Sequence, residues 1–160
     1  VLEARLDRLK QRIKIDLSTD DVITPSAIRY SYQLMFEGRS IELMTYTPET
    51  LLAEKIQTIL ARGITTTRMR DYYDVYEIAV SKKVSIDKAV LAEAFNATCM
   101  KRKTTFASEQ IKKILNEISA DEGLLNLWER YKKDNFYVGD IRWTVVCEAI
   151  CVYIRDNVLK

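Results

Sequence analysis

From Ile13 onward, apolar residues change their period once along this chain, near Pro48. Before it they alternate with polar ones. In the segment IKIDLS, Ile13, Ile15 and Leu17 share one face and Lys14, Asp16 and Ser18 the other, which predicts a strand over 13–18. Residues 32–36 and 40–46 read as the arms of a hairpin across Glu37-Gly38-Arg39, with Gly38 supplying a positive φ. The first twelve residues differ, since Leu2, Leu6 and Leu9 are spaced for one side of a helix. Thr47-Pro48-Glu49 is a helix start, with Thr as N-cap and Pro in the first helical position. Beyond it the period is 3.6. Helical patterns follow over 87–100, 108–119 (with Ser108 as a cap), 123–133 and 140–159. Strands first and five or six helices after give an α+β chain, with a sheet region over 1–47 and a helical domain over 48–160 packed on it as one continuous unit.

Residues 46–78 carry the most information. They read as two helices joined by a Thr-rich turn flanked by arginines, and each helix has a charge where an apolar residue is expected. Leu51, Leu52, Ile56, Ile59 and Leu60 form one stripe, and Lys55 falls inside its arc. On the second helix Asp71, Val75 and Ile78 recur at i, i+4 and i+7, with Asp74 at the edge. Buried charges pair, bind a ligand or neutralise, so these three residues predict a polar site in a packed seam. The plainer alternative is a snorkelling lysine and acids that serve a helix N-terminus.

Composition narrows the chemistry. The chain has 160 residues, 48% of them hydrophobic and 30% charged, which suits one globular domain or one and a half small ones. It has no histidine, which removes Ser-His and Cys-His nucleophiles, histidine bases and nearly all catalytic zinc sites. Three cysteines, Cys99, Cys147 and Cys151, lack metal spacing, and the latter two are expected to pack as small apolar residues on one helix. The longest apolar run, near the C-terminus, is broken by Glu148 and Arg155 and is too short to span a bilayer. No secretory signal opens the chain, so a cytoplasmic protein is expected, and a start at Val1 reads as a fragment. Net charge is +2, but Arg62, Arg68 and Arg70 meet no acid between Lys55 and Asp71. A second basic group is Lys101, Arg102, Lys103, Lys112 and Lys113. Each reads as a solvated face or a surface for phosphates or RNA.

The order of a KIDLS strand, a hairpin, TPETLLAEKIQTILAR, RMRDYYDVYEI and a late W-x-x-Y…F segment from Trp128 to Phe136 resembles the nucleotidyltransferase-fold AbiEii toxins of bacterial abortive-infection and toxin–antitoxin systems. The resemblance runs from about Ile13 to the end, and its most specific part is Ala53-Glu54-Lys55 with Arg70-Asp71-Tyr72-Tyr73-Asp74. It implies the C-terminal part of a nucleotidyltransferase-like fold and transfer of a nucleoside monophosphate from an NTP to an acceptor such as tRNA. It further implies a catalytic set of Asp16, Lys55, Asp71 and Asp74, with Asp16 as a carboxylate ligand to one of two magnesium ions. Lys14, Arg62, Arg68 and Arg70 would contact phosphates, and a regulator protein would be the antitoxin.

The family pattern also has a Gly-Ser loop followed by D-x-D, and neither occurs in these 160 residues. Half of the implied constellation is therefore missing, either because the chain is part of a longer parent or because it is degenerate, and the chain alone is expected to be inactive. The rival to an enzyme is a binding module for a protein or RNA, in which Lys55, Asp71 and Asp74 form a structural network.

Overall fold

The computed structural model of the chain describes residues 1–15, 17, 22–81 and 83–158. These form four short strands in two antiparallel hairpins, followed by six helices, in α+β order.

Strands β1 (Leu2–Leu6) and β2 (Leu9–Ile13) make the first hairpin, so the opening residues are not helical. The register pairs Leu2 with Ile13, Ala4 with Gln11 and Leu6 with Leu9. A ladder thus gathers Leu2, Leu6 and Leu9 on one face, as a helix would, and spacing alone does not separate the two. The turn does. Asp7 sits at φ 50, a conformation that short hairpin turns demand and that Asp tolerates. Among the described residues of the strand expected over 13–18, only Ile13 is in a strand. Ile13 ends β2, and Lys14, Ile15 and Leu17 lie in no strand, while Asp16 and Ser18 fall outside the described residues. The register closes at Leu2 opposite Ile13, so the ladder ends where the expected strand would have begun.

Strands β3 (Ile28–Gln33) and β4 (Ser40–Thr45) make the second hairpin. Tyr30 pairs with Leu43 and Tyr32 with Ile41, which puts the apolar side chains on one face, while Arg29, Ser31 and Gln33 point to the other. Residues 34–36, expected in the first arm, belong instead to the connection. That connection is closed by the Leu34 N–H donating to the Arg39 carbonyl at 3.1 Å, and by the Gln33 amide donating to the Glu37 and Arg39 carbonyls at 3.2 Å. A connection this long reverses the chain without a left-handed residue, and Gly38 does not adopt a positive φ. Neither hairpin makes an extended contact with a helix, and every strand residue is exposed except Thr45, which is half-buried.

Helix α1 (Pro48–Arg62) starts as its sequence requires. The Thr47 hydroxyl accepts the Thr50 N–H at 3.3 Å, with Pro48 in the first turn. The Thr50 hydroxyl in turn donates to the Thr24 carbonyl, tying the preceding loop to the bundle. α1 ends at Gly63, whose φ of 50 a side chain would strain. After a 3₁₀ turn (Gly63–Thr65) come α2 (Met69–Ser81), α3 (Lys88–Lys101), α4 (Ser108–Ala120), α5 (Glu122–Asp134) and α6 (Trp143–Asn157). The Asp87 carboxylate caps α3 by accepting the Ala89 and Val90 N–H groups at 2.8 and 3.1 Å. Its own N–H donates to the buried Glu49 at 3.0 Å. Ser108 does not cap α4. The Ile111 N–H already reaches the Ala107 carbonyl at 3.0 Å, so the helix begins one residue earlier and Ala107 holds the cap position without a side-chain bond.

The core is entirely helical. Ile56 and Ile59 of α1, Val75 of α2, Leu91 of α3, Ile118 of α4, Trp128 of α5 and Ile150 of α6 are all buried. Among the cysteines, Cys99 and Cys147 are buried but Cys151 is exposed. A step of four residues advances about 40° beyond one full turn, enough to carry Cys151 off the buried face of α6. Burial pushes the Cys147 thiol up to about 12, so it behaves as an apolar group. Among the described residues no helix is long and apolar enough to cross a membrane.

Candidate functional site

The three charged positions singled out in α1 and α2 meet across the seam between these helices. The Lys55 ammonium lies 3.0 Å from Asp71 Oδ1 and 2.8 Å from Asp74 Oδ2. The Arg68 Nε donates to the other oxygen of Asp71 at 2.7 Å, and the Arg70 Nε stands 3.8 Å from Asp74. Local structure explains the arrangement. The Thr66 hydroxyl accepts the Arg68 N–H at 3.1 Å, which shapes the turn just before α2 and leaves Arg68 one short step from the helix. Asp71 then falls in the first turn of α2, where a carboxylate also opposes the positive end of the helix dipole. The plainer role of an acid near a helix start and the buried ion pair therefore coexist in one residue.

Burial is graded across the site. The side chain of Asp71 is 5% exposed, Lys55 15%, Asp74 29%, Arg68 57% and Arg70 78%. Carboxylates form the floor and guanidinium groups the rim of a cleft of about 450 Å³, whose wall also includes Leu51. Leu51 is 44% exposed, which corrects its expected place in the buried stripe of α1. It sits one position from Leu52 and one turn before Lys55, and so shares the lysine's edge of the helix. Burial raises the Asp71 carboxyl, but hydrogen bonds and charge from Arg68 and Lys55 outweigh that and hold it below the usual carboxylate range. Burial likewise lowers the Lys55 ammonium, and its bonds to Asp74 and Asp71 more than compensate, leaving it above its ordinary value. Both groups are thus ionised through the whole physiological range.

Three cations face two carboxylates here, so the rim keeps an excess positive charge aimed outward. That suits an anion with oxygens to share among Lys55, Arg68 and Arg70, a phosphate above all. It does not suit a divalent cation. Both Asp71 oxygens already accept from cations, Asp74 faces Lys55 and Arg70, and among the described residues no group of three His, Cys, Asp or Glu side chains converges. Two depressions of similar size, about 480 Å³ beside α3 and about 550 Å³ between α2 and α6, gather far less converging charge. Clustered, mutually perturbed ionisable groups are the better mark of a site.

The other expected site residues are distributed differently. Arg62 lines a separate depression with Gly63, Thr104 and Phe106. Lys14 is exposed just past β2 and does not line the cleft. Asp16 lies outside the described residues. In the second basic group, Arg102 donates to Gln57 and Thr58, and Lys112 pairs with Glu109 at 2.7 Å, so part of that charge is tied to the fold. A neighbour of the cleft that spacing did not reveal is Tyr137. Its hydroxyl bonds that of Tyr131 at 2.9 Å, while its carbonyl accepts from Tyr73, the residue next to Asp74. The available signal was Tyr73 at i+3 from Arg70, on the same face of α2.

Compared with known proteins, residues 1–146 match the family model described as nucleotidyl transferase AbiEii toxin, type IV TA system. No curated protein matches the chain, and no solved structure does.

Proposed function

The chain belongs to the AbiEii nucleotidyl transferase toxin family of type IV toxin–antitoxin systems, and from that premise we propose that the Lys55–Asp71–Asp74 cleft receives the triphosphate of an NTP. The observation that carries this reading is the ammonium of Lys55 held between two carboxylates with its remaining approach open toward a cationic rim. Asp71 fixes Lys55 and Arg68 in place, and Asp74 holds Lys55 from the second side. Lys55, Arg68 and Arg70 take the phosphate oxygens and oppose the charge that builds as a nucleoside monophosphate passes to the acceptor and pyrophosphate leaves. The acceptor is an RNA such as tRNA, and a regulator protein is the antitoxin that family membership implies.

Magnesium, which nucleotidyltransferases typically use, is not accommodated by the carboxylates of this cleft, whose oxygens already face Lys55, Arg68 and Arg70. The 160 residues contain no Gly-Ser pair and no D-x-D. The chain by itself is accordingly expected to transfer nothing, with Asp16 contributing only beside a nucleotide-holding loop from outside these residues. The test incubates the full-length gene product with labelled NTPs, magnesium and total bacterial tRNA. Label in RNA with wild type but not with Asp16→Ala is the expected result. A second reading, a non-catalytic module for a protein or RNA, is favoured by one observation, that both Asp71 oxygens are satisfied internally. No label in RNA, protein or small molecules with any NTP would leave that reading standing instead.

A further inference from the structure

A series of aromatic rings leads from the core to the surface beside the cleft. Trp128, fully buried, packs on Tyr131 with centroids 5.7 Å apart. Tyr131 meets Tyr73 at 6.5 Å, Tyr73 meets Tyr137 at 5.3 Å, and Tyr137 meets Phe136 at 6.1 Å with the rings at 74°. Exposure rises outward, to 49% at Tyr137 and 95% at Phe136. One exposed phenylalanine is unremarkable by itself. This one belongs to a fixed group, since it opens the 3₁₀ turn Phe136–Val138, whose Val138 is buried. The preceding Asn135 amide donates to the Tyr131 carbonyl at 2.8 Å, and the Tyr131 and Tyr137 hydroxyls bond each other at 2.9 Å.

The outer rings adjoin the cationic rim. Arg70, Tyr73 and Asp74 share one face of α2 at i, i+3 and i+4. Burial raises the Tyr131 hydroxyl, its bond to Tyr137 raises it further, and the charges of Asp74 and Arg70 also act on it, which places that rim within electrostatic reach of the rings. An exposed Phe136 ring backed by a half-exposed Tyr137, on the same side as a guanidinium that is 78% exposed, offers what an unpaired nucleotide needs, an aromatic surface for the base and a cation for its phosphate.

We propose that Phe136, Tyr137 and Tyr73 form a stacking shelf for unpaired bases of a single-stranded RNA end whose phosphates lie on Arg70 and Arg68. The assignment rests on the transferase reading in that it seats the acceptor next to the nucleotide cleft, yet binding on the shelf requires no transfer. An apolar protein partner would gain little from the guanidinium rim, whereas a polyanion with exposed bases uses both halves of the surface.

The test titrates a fluorescently labelled, unstructured RNA with the 160-residue chain and follows anisotropy at several salt concentrations. The wild type is expected to bind the single strand more tightly than a duplex of the same sequence. Phe136→Ala is expected to weaken binding roughly fivefold or more, as loss of a stacked base does, with an unchanged thermal midpoint because the ring is exposed. Arg70→Ala is expected to weaken binding and flatten the salt dependence. Absence of binding by the wild type, equal binding by Phe136→Ala, or equal affinity for duplex would each overturn the proposal. So would a Phe136→Ala variant that binds RNA normally but loses its antitoxin. If the full-length protein labels RNA while Phe136→Ala leaves both binding and the KM for RNA unchanged, the shelf fails and the transferase reading survives. If no NTP is ever transferred but Phe136→Ala still abolishes RNA binding, the shelf stands and the transferase reading fails.

Discussion

The two hairpins and the six helices obey the same patterning rule and arrive at opposite outcomes. Each hairpin gathers its apolar side chains on one face, Leu2, Leu6, Leu9 and Ile13 in the first and Ile28, Tyr30, Tyr32, Ile41 and Leu43 in the second. All of these remain exposed. The helices gather theirs onto one another and exclude water almost completely, as Ile56, Val75, Leu91, Trp128 and Ile154 show. Amphipathicity marks which side of an element is fit for burial, and only a second layer turns that into stability. A hairpin with no such layer is marginal on its own, so the stability of this chain resides after residue 46.

The largest expected effect lies in the helical core. Trp128→Ala removes a fully buried ring and its indole donation to the Ile141 carbonyl at 2.9 Å. It should cost about 4 kcal/mol in a denaturant titration, and a loss no larger than that of a strand substitution would erase the contrast between the regions.

Next comes the seam. Lys55→Ala leaves Asp71 buried with Arg68 as its sole cation of the pair. Breaking a buried pair costs roughly 3–5 kcal/mol, and the remaining guanidinium places this case near the lower end, about 3 kcal/mol. A near-neutral shift in thermal midpoint would mean that the charges gain nothing from each other.

The pH dependence sharpens the same point. Asp71 is held below its ordinary value when folded, so its contribution is complete above the unfolded carboxylate range near pH 4 and fades as pH falls further through the folded value. Lys55 is raised, so its contribution is complete below about pH 10 and fades as pH climbs through its folded value. Stability should therefore be flat in these terms between the two limbs. Asp71→Asn should lessen the acid limb specifically, and a stability profile unchanged by that substitution would count against the pairing.

Smaller still, Thr47→Ala should cost about 1 kcal/mol through loss of the α1 cap. Tyr30→Ser on the exposed hairpin face should change stability by less than about 0.5 kcal/mol. Amide exchange should follow the same order, with the strand amides opening long before those of α1 and α6.

How much of this was legible in the sequence depended on whether a signal was local. The start of α1 was, because Thr47 and Pro48 act within one turn. So was the meeting of Lys55 with Asp71 and Asp74, because a charge inside an apolar arc has few ways to be buried. The first hairpin was not. Leu2, Leu6 and Leu9 fit one side of a helix and one face of a ladder equally, and the deciding residue was Asp7, whose left-handed turn no hydrophobic pattern records. Leu51 was misplaced because an apolar arc shows that a position can be buried, while the neighbouring helix decides whether it is. Cys151 left the core through the drift of a four-residue step, and Tyr137 comes beside Tyr73, the neighbour of Asp74, only through tertiary contacts from another helix connection. Asp16, carried by resemblance alone, remains a proposal about chemistry beyond the described residues.

The measurement that bears most directly on the cleft as the phosphate site is the rate of label transfer by the full-length protein carrying Lys55→Ala, made at a temperature where circular dichroism shows the variant folded. Loss of a charge aimed at a transferring phosphate predicts a fall in kcat of roughly a hundredfold or more. A folded Lys55→Ala variant that transfers nucleotide at the wild-type rate would reduce Lys55, Asp71 and Asp74 to a structural ion pair and contradict the account.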